Sequence, residues 1–211
     1  MTDKKELRSM LKDAGILFVI TLISGLILGY VYELTKEPIR LQRERAIQEA
    51  CQEVLEQAQS FSQIPYTPSE SLTAELEEIG VTVGKTYEAL DGQSKHLGYV
   101  VESSSSEGYG GQITLYVGVL ADGTLGGVSI LKMNETPGLG MNAKSVLIPQ
   151  FAGKQESGFT FTKTGSASDS ELDAISGATV TTKAVVDAVN GALKAISELT
   201  GESGKGGNAN E

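Results

Sequence analysis

The sequence contains one cysteine, Cys51, one histidine, His96, and no tryptophan among its 211 residues. A single cysteine excludes an internal disulfide and any site that needs several thiolate ligands, such as an iron–sulfur cluster. A single histidine argues against a His-rich metal site, and a Ser-His-Asp triad would have to use His96 itself. We therefore predict no metal site and no catalytic residues, and we interpret His96 as a partly exposed strand residue.

Positive charge is also scarce, with 17 Lys and Arg against 27 Asp and Glu and a formal net charge of -10. Nucleic acid is excluded as an expected partner, because phosphate contacts require a surface rich in Lys and Arg. The hydrophobic content of 40% is ordinary for a folded chain, so one domain with additional segments is expected.

One long apolar run is present, AGILFVITLISGLILGYVY, covering residues 14–32 without a charged residue. As a helix it would extend about 28 Å, enough to cross a hydrocarbon core of roughly 30 Å. Tyr30 and Tyr32 lie at one end, where aromatic rings favour the membrane interface. A buried core helix is rarely apolar on every side, and a cleaved signal peptide has a shorter apolar core. The run therefore predicts an uncleaved transmembrane helix.

Basic residues flank this run equally, which leaves its orientation open. The positive-inside rule compares Lys and Arg on the two sides of a span. Four basic residues precede the run and four follow it closely: Lys4, Lys5, Arg8 and Lys12, then Lys36, Arg40, Arg43 and Arg45.

Residues 33–80 are predicted to form a juxtamembrane helix and a loop. Pro38 suits the first turn of an amphipathic helix, and the loop is expected at residues 62–73. Cys51 lies on the apolar stripe of that helix, which favours a packed thiol over a reactive one.

Beyond residue 80 the hydrophobic pattern changes to short runs with β-branched residues. Asp122-Gly123 lies between two apolar runs and predicts a β-hairpin over residues 112–133. Residues 142–151 suggest a short helix broken at Pro149, residues 158–163 a strand, and residues 182–199 an apolar-striped helix. The fold class is α+β, with a mostly antiparallel sheet and flanking helices, and residues 201–211 read as a disordered tail.

The segment NETPGLGMNAK, residues 134–144, follows the predicted hairpin. Pro137-Gly138 favours a turn, and Gly140 allows close approach of the backbone to a ligand. A plain surface turn explains the same residues.

The segment DAISGATVTTKAV, residues 173–185, leads into the last predicted helix and carries four hydroxyl side chains. One hydroxyl is accounted for by a helix N-cap, which accepts a hydrogen bond from a free backbone N–H. The first turn carries Lys183 and no acidic residue before Asp187. A helix N-terminus without its own anion suits an external one such as phosphate, held by or bonded to this end of the helix.

These two motifs resemble those of the FMN-binding domain family. SGAT, preceded by Asp173 and followed by a helix, resembles its flavinylation motif, and residues 107–140 resemble its Gly-Tyr-x-Gly segment, hairpin and Glu-Thr-Pro-Gly-Leu-Gly turn. With one N-terminal span, the order resembles the G subunit of the Rnf-type ion-translocating electron transport complex. The related C subunit of sodium-translocating NADH:quinone oxidoreductase is the alternative. A flavin-free membrane-anchored scaffold is an alternative of a different class.

The resemblance implies a covalent FMN, joined through its phosphate to Thr179 by a flavin transferase. It implies that Glu135, Thr136, Leu139 and Gly140 line the site, with Leu139 against the flavin ring and Thr136 hydrogen-bonded. Around Thr179, Gly177 and Ala178 give access and Lys183 a charge contact, while the remaining hydroxyls cap the helix or bond the phosphate. The full set in this segment is Ser176, Gly177, Ala178, Thr179, Val180, Thr181, Thr182 and Lys183.

The resemblance also implies location and partners. The chain would carry electrons in a complex that couples transfer between ferredoxin and NAD to Na⁺ or H⁺ movement, and its partners would be the other subunits and the lipid bilayer. It would lie in a bacterial or archaeal cell membrane, the inner one in a Gram-negative cell, as a single-pass protein. Residues 1–13 would be cytoplasmic, residues 14–32 would span the membrane, and residues 81–200 would form an extracytoplasmic FMN-binding domain.

Overall fold

The structure, a computed structural model, describes residues 4–201, with side chains from residue 8 onward. The predicted tail therefore lies outside the described residues apart from Gly201. The chain divides into two units, Met1–Arg45 and Ala46–Glu211. Within residues 4–201, one helix is long and apolar enough to cross a membrane.

That helix, α1, runs from Lys4 to Val54 and contains the whole predicted span. Pro38 lies inside it rather than at the start of a second helix, so that prediction is wrong. A proline removes one backbone hydrogen bond, but the neighbouring residues support the helix. Arg40 bonds Glu37 at 3.0 Å and Glu44 at 2.7 Å, pairs that stabilise successive turns.

The second unit contains a five-stranded antiparallel sheet in the order β1-β2-β3-β4-β5. Its strands are β1 (Ser60–Ile64), β2 (Val81–Leu90), β3 (His96–Ser105), β4 (Ile113–Leu120) and β5 (Leu125–Lys132). The predicted hairpin is β4 and β5, and its turn contains Gly123 at a φ of +85°. His96 is half-buried in β3, as predicted, and its Nδ1 lies 2.9 Å from the Glu88 carboxylate.

The segment predicted as a loop contains the end of β1 and the start of helix α2 (Glu70–Glu78). The sequence of β1 is polar and did not predict a strand, which is held mainly by backbone pairing to β2. The Ser69 hydroxyl accepts a hydrogen bond from the backbone N–H of Leu72 and caps α2, whose Leu72 and Leu76 are buried.

Three helical turns follow the sheet where a single short helix was predicted: Gly140–Asn142, Ala143–Leu147 and Ile148–Gln150. Strands β6 (Thr160–Thr162) and β7 (Glu171–Asp173) form a small parallel pair. The last helix, α3, runs from Thr179 to Thr200, three residues earlier than its predicted start. The α+β class, with a mostly antiparallel sheet, is confirmed.

The sheet is covered on both faces. Alternate residues of β3 and β4 point to opposite sides, so Val101 and Leu115 pack with α3 while Val100 and Tyr116 pack with residues 50–58. Cys51 belongs to the second cluster and is 1% exposed. Burial raises the pKa of its thiol to about 12, so the unreactive protonated form dominates at neutral pH.

Candidate functional site

The segment 173–185 forms a turn between β7 and α3. β7 ends at Asp173, Ser176 and Gly177 lie in the turn, and α3 begins at Thr179. Gly177 has a φ of +74°, a left-handed conformation that glycine adopts without strain. The predicted motif is therefore a tight turn that ends at a helix N-terminus.

The N-cap position of α3 is occupied by Ala178, and no side chain bonds to the helix from that position. The prediction that a hydroxyl of this segment caps the helix is wrong. The reason is that Thr181 and Thr182 lie on the inner face of the first turn and are 1% and 0% exposed. The predicted absence of acidic residues from the first turn is confirmed.

The buried Thr182 hydroxyl holds the turn in place by hydrogen bonds to the backbone on both sides of it. Its hydroxyl donates to the carbonyl oxygen of Ala178 at 2.9 Å and accepts from the backbone N–H of Ile175 at 3.1 Å. Both ends of the Ser176-Gly177 turn are thereby tied to one buried side chain. Thr181 bonds elsewhere, since its hydroxyl donates to Oε2 of Glu135 at 3.0 Å.

Two of the four hydroxyl side chains in the segment remain accessible from outside. Ser176 is exposed and Thr179 is half-buried, whereas Thr181 and Thr182 are buried. An enzyme that attaches a group to one of these hydroxyls must reach its oxygen. The candidate attachment points in this segment are therefore Ser176 and Thr179.

Lys183 is exposed in the second turn of α3, one turn later than its predicted place, and its ammonium group already has a partner. Its Nζ lies 2.6 Å from Oδ2 of Asp187, one turn along the helix. An exposed pair of this kind contributes only a few tenths of a kcal/mol. The cost of releasing Lys183 to an anion at the helix end is correspondingly small.

The predicted turn at residues 134–140 is present and lies against the same region. Gly138 has a φ of +77°, and the carbonyl oxygen of Thr136 accepts from the backbone N–H of Leu139 and of Met141, each at 3.2 Å. Thr136 and Leu139 are exposed, while Glu135 is buried at 6% exposure. The two predicted motifs contact each other: a Cβ added to Gly177 would lie 3.1 Å from Cδ2 of Leu139.

Glu135 connects this turn to two other segments. Its Oε2 accepts from the Thr181 hydroxyl, and its Oε1 accepts from the backbone N–H of Gly110 at 3.2 Å. Gly140 is buried beside it, and a Cβ there would lie 2.7 Å from both Oε2 of Glu135 and Oγ1 of Thr181. The carboxylate therefore lies beneath the site and not on its surface, where a ligand contact was expected.

Exposed apolar side chains occur in these segments and in the segments next to them in the chain or bonded to them. Tyr109 is 75% exposed and Val180 51%, which is unusual for side chains of this size. Outside α1, the exposed large hydrophobic residues in the described part of the chain are Tyr109, Leu139, Met141, Val146 and Val180. Tyr109, Met141 and Val146 were not predicted as site residues, and only the glycines on both sides of Tyr109 signalled an exposed loop.

Metal-binding clusters are not found here. Within residues 4–201, no group of three or more His, Cys, Asp or Glu side chains is placed to hold a metal ion.

Two family models match the chain. The FMN-binding domain model matches residues 108–194, which include the Tyr109 loop, the 134–140 turn and the start of α3. The model of the RnfG N-terminal region matches residues 1–54.

Among characterised proteins, the chain is similar to the G subunits of two complexes. It is 32% identical over 193 residues to the G subunit of the Na⁺-translocating ferredoxin:NAD⁺ oxidoreductase complex of Acetobacterium woodii, covering 88% of this chain and 90% of that protein. It is 34% identical over 199 residues to the G subunit of the proton-translocating ferredoxin:NAD⁺ oxidoreductase complex of Clostridium ljungdahlii, covering 90% and 97%. Among solved structures, NqrC of Shewanella oneidensis matches with a TM-score of 0.42 and 26% identity, covering 50% of this chain and 53% of NqrC.

Proposed function

The chain belongs to the family of G subunits of ion-translocating oxidoreductase complexes, and we propose that it is a membrane-anchored flavoprotein that carries electrons within such a complex. The complex would couple electron transfer between ferredoxin and NAD to translocation of Na⁺ or H⁺. The partners of the chain are the other subunits of the complex.

The observation that carries this proposal is the first turn of α3. It has no acidic residue and no side-chain cap, so the backbone N–H groups at its start have no side-chain acceptor among the described residues. Those groups and the helix dipole favour a phosphate by roughly 0.3–1 kcal/mol. A cofactor phosphate therefore fits the residues present.

We further propose that FMN is bonded covalently to Thr179. A phosphoester would join Thr179 Oγ1 to the FMN phosphorus. The hydroxyl proton would leave Thr179, and the phosphorus would lose its bond to the leaving group of the flavin donor, which is AMP if the donor is flavin adenine dinucleotide, so the chain gains FMN less one water. A flavin transferase would perform this step on the accessible turn of residues 176–179. Gly177 lacks a side chain there, which leaves the approach to Thr179 open.

The surrounding residues would hold the cofactor, which when bound supplies one- and two-electron redox chemistry. The apolar side chains of Leu139, Val180 and Tyr109 offer surface for a flat aromatic ring, since each is exposed. Lys183 would exchange its bond to Asp187 for one to the phosphate, and the Thr136 hydroxyl would be a hydrogen-bonding group at the rim.

The flavin itself is tested on the wild-type chain produced with and without a flavin transferase. We expect a fluorescent flavin band in a denaturing gel only when the transferase is present, because a covalent bond survives denaturation. Absence of flavin under both conditions would favour the alternative of a flavin-free scaffold. Flavin that is released by denaturation would contradict the covalent bond alone.

We propose that α1 anchors the chain as a single span, with the lipid bilayer around residues 14–32 and the FMN-binding domain outside the cytoplasm. A reporter at the C-terminus tests this orientation. Alkaline phosphatase, which folds to its active form outside the cytoplasm, should be active there, and green fluorescent protein should be dark. The reverse pattern would place the domain in the cytoplasm, and a shared control is the same pair of reporters fused at the N-terminus.

A further inference from the structure

Three segments that are distant in the sequence meet at the carboxylate of Glu135. The 108–111 loop contributes the Gly110 N–H, α3 contributes the Thr181 hydroxyl, and the 134–140 turn contributes Glu135 itself. Thr181 is 1% exposed and Glu135 6%, so the bond between them is shielded from water, while the bond from the exposed Gly110 is partly buried. Hydrogen bonds to a carboxylate are among the stronger ones in a protein.

The carboxylate has no basic partner. Within the described residues, no Lys, Arg or His lies within ion-pair distance of Glu135. Burying a carboxylate costs free energy unless hydrogen-bond donors compensate the lost hydration. Here the donors are the Gly110 N–H and the Thr181 hydroxyl, together with the positive end of α3.

The backbone around Glu135 is shaped to admit it. A Cβ at Gly108 would lie 2.8 Å from Oε1 of Glu135, and a Cβ at Gly140 would lie 2.7 Å from Oε2. Two glycines from different segments therefore leave room for the two carboxylate oxygens. The space left by these glycines lets the Glu135 carboxylate lie between the segments and bond to both Gly110 and Thr181.

We propose that Glu135 is a positioning residue for flavin attachment, a role that rests on the proposed function. It holds the first turn of α3 and the 108–111 loop in one arrangement, through Thr181 on one side and Gly110 on the other. Thr179, two residues before Thr181, is thereby presented in a fixed orientation relative to the 108–111 loop. Glu135 itself does not touch the cofactor.

The first test measures backbone hydrogen exchange in the flavin-free protein. In Glu135→Ala we expect exchange at residues 108–111 and 176–181 to rise at least tenfold, because both bonds are lost. Thr181→Val should raise exchange in the same segments, and the double variant should add little to either single one. Val100→Ala, on the opposite face of the sheet, controls for general loss of stability. Exchange in Glu135→Ala that matches Val100→Ala would overturn the proposal.

The second test is the initial rate of flavin attachment by the transferase. We expect at least a tenfold loss in Glu135→Ala and a rate within threefold of wild type in Glu135→Gln. Glutamine retains a carbonyl oxygen that can accept from one of the two donors, and its amide N–H can donate to the Thr181 hydroxyl oxygen. If the wild type is flavinylated and Glu135→Ala is flavinylated at the same rate as Val100→Ala, the positioning role is refuted and the proposed function is not. A wild type that takes up no flavin would refute the proposed function and the role with it.

Discussion

Thr179→Val should abolish covalent flavin attachment, with the intact mass remaining at the unmodified value when the transferase is present. Valine matches threonine in shape but has no hydroxyl oxygen, so no phosphoester can form at this position. Thr179 is half-buried at the start of α3 and is not part of the core, and we expect the free energy of unfolding to change by less than about 0.5 kcal/mol. A lost attachment with an unchanged stability would therefore be a chemical effect.

Two variants complete this experiment. Thr179→Ser keeps an oxygen in nearly the same place and should retain part of the attachment. Ser176→Ala removes the other accessible hydroxyl of the segment and should retain nearly all of it. Attachment that persists in Thr179→Val and disappears in Ser176→Ala would move the acceptor to Ser176.

Gly110→Ala should lower both the stability and the rate of flavin attachment. A Cβ at this position would collide with the carbonyl oxygen of Asn134, which is backbone and cannot rotate away. The 108–111 loop would have to move, and the bond from the Gly110 N–H to Glu135 would be lost. Overpacking of this kind costs about 1–3 kcal/mol. Urea unfolding measures the stability and transferase assays the rate.

The matched control is Gly158→Ala. A Cβ there would have its nearest neighbour, Oδ1 of Asn190, at 3.6 Å, an ordinary contact distance. Its stability should stay equal to wild type or rise slightly, since alanine restricts the unfolded chain. A Gly110→Ala protein as stable and as readily flavinylated as Gly158→Ala would show that the close approach to Asn134 is unimportant.

The sequence was sufficient where a pattern is periodic or local. The hairpin turn at Gly123, the apolar stripe of α3 and the buried Cys51 each follow from composition and spacing within one segment. The continuity of α1 through Pro38 was not predictable in this way, because local propensity treats proline as a boundary and does not weigh the ion pairs that support the neighbouring turns.

The site was predicted in part. The sequence assigned both motifs to one site, and the structure brings Leu139 of one motif close to Gly177 of the other. The inward direction of Thr181 and Thr182 was not, because the start of α3 determines which hydroxyls lie on its buried face and that start was placed three residues late. Tyr109 was missed because its loop is joined to the 134–140 turn by the bond from the Gly110 N–H to Glu135. These two residues are 25 positions apart in sequence, and a local pattern does not show that contact.

The uncapped start of α3 affects the stability of the protein before and after flavin attachment. A polar side chain at the position of Ala178 would make the newly made chain more stable by about 1 kcal/mol. Alanine forgoes that gain and leaves the helix end free for the FMN phosphate that we propose is attached after folding. On that proposal, the flavin-free chain would be the less stable form and the flavinylated chain the more stable one. Maturation would then be measurable as a rise in melting temperature as well as in colour.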